Sequence, residues 1–234
     1  MNTEIGILIT TALSIGFVHT LIGPDHYLPF IALSRARNWT YPRTLLVTII
    51  CGAGHVLSSV VIGMIGIAAG VAISRIQGLE GMRGDIASYL LLGFGLAYMS
   101  WGIRKGIRGT IHSHSHTHAN GTIHEHHHDH QTEHTHAHSK KTSTFWWLFI
   151  IFVLGPCEPL IPVLMYPAAR VNTPGVFLVV LAFGLATIAT MSVMVSLAYF
   201  GLKQVRFAFF ERYAHALGGA IIALSGGAMI FLGL

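Results

Sequence analysis

Six stretches of the sequence, residues 5–33, 44–73, 86–103, 144–168, 176–200 and 216–233, run without a single lysine or arginine. A helix needs about 20 largely apolar residues to cross the hydrocarbon of a bilayer, and these stretches are of that order. Of the 234 residues, 53% are hydrophobic and only 10% charged, a balance that excludes an ordinary soluble domain. The expected fold class is an all-α integral membrane protein with six transmembrane helices. The net charge of +5 does not point to nucleic acid, because the basic residues sit between the spans instead of forming one surface.

Those basic residues predict orientation. Arg35, Arg37, Arg43, Arg104, Lys105, Arg108, Lys140, Lys141, Lys203, Arg206 and Arg212 fall on one side of a six-span chain, against Arg75, Arg83 and Arg170 on the other. Positive charge marks the cytoplasm, so a multi-pass protein of a cell (inner) membrane with both termini outside is expected. The first span has no basic leader and no small-residue cleavage signature, and reads as a retained helix. Cys51 and Cys157 both lie at membrane depth, and no disulfide framework is indicated.

Three regions follow: a three-helix unit at 1–103, a histidine-rich loop at 104–143 on the cytoplasmic side, and a second three-helix unit at 144–234. Twelve of the sixteen histidines fall in "HSHSHTH", "HEHHHDH" and "HTHAH" within the loop. With no apolar face to bury, the loop is expected to be disordered when metal-free. The two units echo each other, with "GPDH" from Gly23 answered by "GPCE" from Gly155 at an offset of 155 − 23 = 132. At the same offset "GAGHVLSSVV" from Gly52 falls on "GLATIATMSV" from Gly184. Three spans per unit is an odd number, so the units are expected to be inverted repeats with broken first helices.

The chemistry is concentrated in "HTLIGPDH", residues 19–26. In a straight helix His19 and His26 share a face but stand about 10 Å apart along the axis. Pro24 removes one helical bond and Gly23 lets the chain turn, so an unwound turn brings His19, Asp25 and His26 around one centre. A plain alternative is that Gly-Pro-Asp simply starts a helix well, with the same reading for Gly155-Pro156-Cys157-Glu158. Ionisable groups inside a membrane are rare and usually functional, which favours a site. His55, among small residues on the second span, is the next donor, and Glu158 joins from the duplication. Asp25 and Glu158 read as the only acids within the spans, and imidazole with carboxylate suits a divalent transition metal. The candidate metal-handling residues are His19, Asp25, His26, His55 and Glu158, with Cys157 as an open sixth.

At these residues the sequence resembles the nickel/cobalt transporter superfamily, "HTLIGPDH" and "GHVLSSVV" matching its first two signatures. With Gly-Pro before the aspartate it is most similar to the urease-accessory transmembrane subgroup, and "GPCEP" fits that group's second-half motif. Five residues separate His19 from Asp25 here, against four in the best-known permeases. The resemblance implies nickel or cobalt as cargo, no resident cofactor, no enzymatic activity, and metallochaperones or urease and hydrogenase maturation proteins as partners beside the lipid bilayer.

A doubly charged ion entering a cell gains about 4.6 kcal/mol per 100 mV, and no Walker-type loop is present. The expected function is thus a secondary transporter of nickel or cobalt, with uptake favoured. Alternatives are a metal exporter of the same fold, a small-oxyanion exporter, or a membrane-bound metal reservoir or donor for metalloenzyme maturation.

Overall fold

The computed structural model describes residues 2–108, 114–117, 123–126, 143–169, 173–202 and 213–233. Helix α1 (Asn2–Ile22) is followed by a 3-10 turn (Pro24–His26), α2 (Leu28–Ala36), α3 (Tyr41–Ala68) and α4 (Ile73–Arg108). The second half holds α5 (Ser143–Leu154), α6 (Leu160–Ala169), α7 (Thr173–Leu202) and α8 (Ala214–Leu232). Among the described residues, five helices are long and apolar enough to cross a membrane: Thr3–Ile22, Tyr41–Ala68, Ile73–Ile107, Pro174–Leu202 and Ala214–Leu232. Large apolar side chains such as Ile65, Phe177, Leu185, Leu197, Leu224 and Phe231 stand exposed on these helices, as a lipid-facing surface requires. The chain is an α-helical, multi-pass membrane protein.

Three of the expected spans differ from the helices observed. The first, 5–33, is broken into α1 and α2, and the fourth, 144–168, into the short α5 and α6 on either side of Gly155-Pro156. Pro24 and Pro156 have no N–H to continue a helix, so each stretch turns at its proline. The third, expected over 86–103, is the 36-residue α4, which carries Arg75, Glu80, Arg83 and Asp85 within its length. Helices without lysine or arginine, and spans whose only acids are Asp25 and Glu158, are therefore corrected: the polar end of α4 is helical, with Glu80 and Arg83 buried as a pair and Arg75 and Asp85 exposed.

Packing follows an exchange between the halves. Helix α1 lies on α7, α5 lies on α3, and α4 and α8 make the most extensive helix pair. That last contact is backbone against backbone: a Cβ on Gly95 or Gly102 of α4 would run into Ala223 or Ala216, and one on Gly219 or Gly226 of α8 into Met99 or Leu92. Small residues at seven-residue spacing let two helices approach this closely in lipid. One buried cluster gathers Phe30, Leu33, Cys51, Phe152, Met191 and Ile222, and a second gathers Ala12, Val56, Cys157, Leu160, Val179 and Phe183.

Within the histidine-rich loop, strands β1 (His114–Thr117) and β2 (Ile123–His126) pair antiparallel, with His114 opposite His126 and Thr117 opposite Ile123. This differs from the structureless loop expected there. The remaining histidines of the loop lie outside the described residues.

Candidate functional site

Helix α1 ends where its chemistry begins. The Gly23 N–H donates to His19 O at 3.0 Å, Pro24 offers no donor, and the His26 N–H donates to Gly23 O at 3.2 Å to close the tight turn. The turn carries His26 back over His19, with ring centroids 4.8 Å apart and planes nearly perpendicular. Gly23 is needed there for space: a Cβ would stand 2.6 Å from His26 Nδ1 and 2.9 Å from Asp25 Oδ1. His55, one face of α3 away, has its ring centroid 5.1 Å from that of His26.

Two of these imidazoles have their tautomers set by their neighbours. His26 Nδ1 lies 3.2 Å from both Gly23 O and Asp25 Oδ1, and His55 Nδ1 lies 3.2 Å from Phe152 O. All three neighbours are acceptors, so each Nδ1 carries a proton, and in the neutral form of either ring Nε2 then holds the lone pair. Nε2 of His19, His26 and His55 are buried without a hydrogen-bond partner. Leaving such an atom unmatched costs about 1–3 kcal/mol, and three ring nitrogens in one place can together accept a positive charge or a proton.

The second break adds a thiol. Cys157 is wholly buried, and its Sγ, with one ring nitrogen each of His19 and His55, forms a group whose atoms all lie within 4.8 Å of one another. Its backbone is fixed by groups from two other helices. The Cys157 N–H donates to Ser59 Oγ at 3.1 Å and to Glu80 Oε2 at 3.2 Å, while the Ser59 hydroxyl donates to the same Oε2 at 2.8 Å. Glu80 pairs with Arg83, whose Nη2 donates to Val153 O at 2.7 Å, Ser58 Oγ at 2.8 Å and Gly155 O at 3.4 Å. The break leaves carbonyls at the end of α5 and an amide before α6 without helical partners; arginine takes the first and glutamate the second.

Of the five residues expected to handle metal, the structure brings four together and separates one. His19, His26 and His55 meet face to edge, and Asp25 stands at their side as the acceptor for His26 Nδ1. Glu158 is exposed, and its Oε1 lies beside Gly81 of α4 instead of among the imidazoles. The turn after Pro156 points residue 157 inward and residue 158 outward, so Cys157 holds the inner place. Glu80 and Arg83 are the functional residues that sequence reading missed; their opposite charges three residues apart are the signal that they share one helix. An open groove of ≈ 490 Å³, lined in part by His19, Gly23 and Pro159, leads from the surface to the edge of this cluster.

The architecture and the cluster define a class first: a polytopic helical membrane protein with a thiol and three imidazoles gathered where two broken helices meet α3. A family model described as Cytochrome C biogenesis protein transmembrane region matches residues 27–234. The chain belongs to this family. Cys51, His55, Glu80, Arg83 and Cys157 lie inside the matched range, whereas His19, Asp25 and His26 precede it. No curated protein and no solved structure matches the chain. This family is a different one from the nickel/cobalt transporter superfamily, so that resemblance is overturned. The expectation of nickel or cobalt transport falls with it, and neither the export readings nor the metal reservoir gains support. The resemblance misled because Gly-Pro inside an apolar stretch breaks a membrane helix through proline's own missing N–H, whatever the family.

Proposed function

We propose that this chain is a membrane-embedded thiol protein of cytochrome c biogenesis, with Cys157 as its working group. The observation that carries the reading is the placement of that thiol at a helix break, wholly buried, within 4.8 Å of a ring nitrogen of His19 and of His55. Haem of the c type attaches at Cys-x-x-Cys-His, and outside the cytoplasm such cysteine pairs tend to oxidise. A thiol held inside the membrane suits a protein that passes reducing equivalents towards them.

In the step we assign, the Cys157 thiol gives its proton to an unpartnered imidazole Nε2, and the thiolate attacks one sulfur of a partner protein's disulfide. That S–S bond breaks, Cys157 forms a mixed disulfide, and the leaving thiolate takes the proton back from the imidazolium. A dithiol on a reducing partner then completes the exchange. Its first sulfur displaces the substrate's remaining thiol from Cys157's adduct by taking Cys157 into a new disulfide, and its second sulfur frees Cys157. Two thiols are gained by the substrate and one disulfide by the reducing partner. The groove lined by His19 and Pro159 is the approach for the partner's sulfur.

The test is covalent haem on c-type cytochromes in cells whose only copy carries Cys157→Ser, with Cys51→Ser alongside. Loss of most covalent haem in the first, restored by an added small dithiol, is the expected result. Native haem levels with Cys157→Ser would overturn the reading.

The same reading includes two inverted three-helix repeats, α1 to α4 and α5 to α8. Supporting it are the two breaks 132 residues apart, as 157 − 25 = 132, and the exchanged packing of α1 on α7 and of α5 on α3. With the basic residues of the loops on one side, both termini face outward and the histidine-rich loop faces the cytoplasm.

A further inference from the structure

We infer that the buried cluster is a binding site for one thiophilic transition-metal ion, held by Cys157 Sγ and by ring nitrogens of His19 and His55, with the His26 ring packed edge-on against both imidazoles. The inference names a ligand class for the core and rests on the reading of Cys157 as its working group. Four features of the structure support it.

The first is the set of unmatched lone pairs. His26 and His55 are each only 3% exposed, yet their Nε2 atoms have no partner. The second is how these rings are held. His55 gives its Nδ1 proton to the Phe152 carbonyl, and His26 gives its own to Gly23 O and Asp25. Carbonyl or carboxylate acceptors behind the non-ligating nitrogen are the arrangement that orients metal-binding histidines.

The third is spacing. Donors at about 2.0–2.3 Å around a tetrahedral ion stand roughly 3.3–3.8 Å from one another. The three donor atoms lie within 4.8 Å, so a contraction of about 1 Å closes the site. His19, on the last turn of α1 beside the groove, is the ring best placed to move. The fourth is charge. The Asp25 carboxylate, and the Cys157 thiolate that forms once a metal ion displaces the thiol proton, would together carry two negative charges in the buried core, which a doubly charged ion neutralises. Sulfur with imidazole selects zinc, cobalt or copper(I) over magnesium or calcium.

The test uses the purified full-length protein in detergent, titrated with cobalt(II) alone, then with zinc(II) as competitor. Thiolate-bound cobalt shows a sulfur-to-metal charge-transfer band, which the loop histidines cannot produce because they supply no sulfur. The native protein and Cys51→Ser are expected to show the band at one ion per chain, and zinc to abolish it. Cys157→Ser should abolish the band, and His55→Gln, which can still donate to Phe152 O, should weaken cobalt binding at least tenfold. Absence of the band in the native protein, or its loss in Cys51→Ser instead of Cys157→Ser, would overturn the inference. The two readings fail separately. No band while Cys157→Ser still blocks haem attachment removes the metal and leaves the thiol; a band with normal haem attachment in Cys157→Ser removes the thiol function and leaves the metal site.

Discussion

At Gly23-Pro24 the turn closes on itself: Gly23 O accepts from the His26 N–H and from His26 Nδ1, which also lies against Asp25 Oδ1. At Gly155-Pro156 the freed backbone groups are taken up from a distance, by Arg83 and Glu80 of α4 and Ser59 of α3. Both breaks start from the same dipeptide, so the proline alone does not decide how a broken membrane helix is held. The residue after it does. An aspartate and a histidine can satisfy their own turn, whereas a cysteine and an outward-pointing glutamate cannot. The thiol of the second break is therefore only as well placed as the ion pair that holds its amide.

The sharpest way to break this comparison is to remove one member of the pair. Glu80→Ala leaves Arg83 unpaired in a buried place, and losing one partner of a buried ion pair costs about 3–5 kcal/mol. Thermal unfolding in detergent should show the largest drop of any single change discussed here, with Arg83→Met close behind. The double Glu80→Gln, Arg83→Gln variant is expected to lose less than either, since it strands no charge. Equal losses from Asp25→Ala would erase the distinction between the breaks.

A smaller effect belongs to Gly23. The Cβ of Gly23→Ala would press on His26 Nδ1 and Asp25, and forcing such a contact costs about 1–3 kcal/mol. Stability should fall by that order while the Cys157 side stays intact, which thiol accessibility can read. The counterpart Gly155→Ala has slightly more room, 3.2 Å to His55 Nδ1 and to Phe152 O, and should cost less. Smallest of all is Asp25→Asn, whose side-chain oxygen can still accept from His26; a change in unfolding free energy below about 1 kcal/mol is expected.

Much of this arrangement was legible in the residues. Apolar stretches gave the membrane class, and Gly-Pro inside them gave both breaks, because proline's missing donor is a local property. The approach of His19, Asp25 and His26 followed from seven-residue spacing and the turn between, whereas His55 was read only from its place among small residues on the second span. What stayed hidden depends on tertiary partners. Glu80 and Arg83 looked like loop charges, since a buried ion pair announces itself only when both members and their backbone acceptors are in view. The choice of Cys157 over Glu158 as the inward residue is set by the direction of one turn, which composition does not encode. The family resemblance rested on three short motifs, "HTLIGPDH", "GHVLSSVV" and "GPCEP", whereas the family that matches spans residues 27–234.

The most direct measurement is the alkylation rate of each cysteine in membranes, read by mass spectrometry with a membrane-permeant maleimide. Cys51 and Cys157 are both fully buried, so in the native protein both should react slowly. Glu80→Gln should raise the rate at Cys157 alone, by about tenfold for each 1.4 kcal/mol of local opening. Rapid labelling of Cys157 in the native protein, or an equal rise at both cysteines in Glu80→Gln, would contradict a thiol held among the imidazoles by the α4 ion pair.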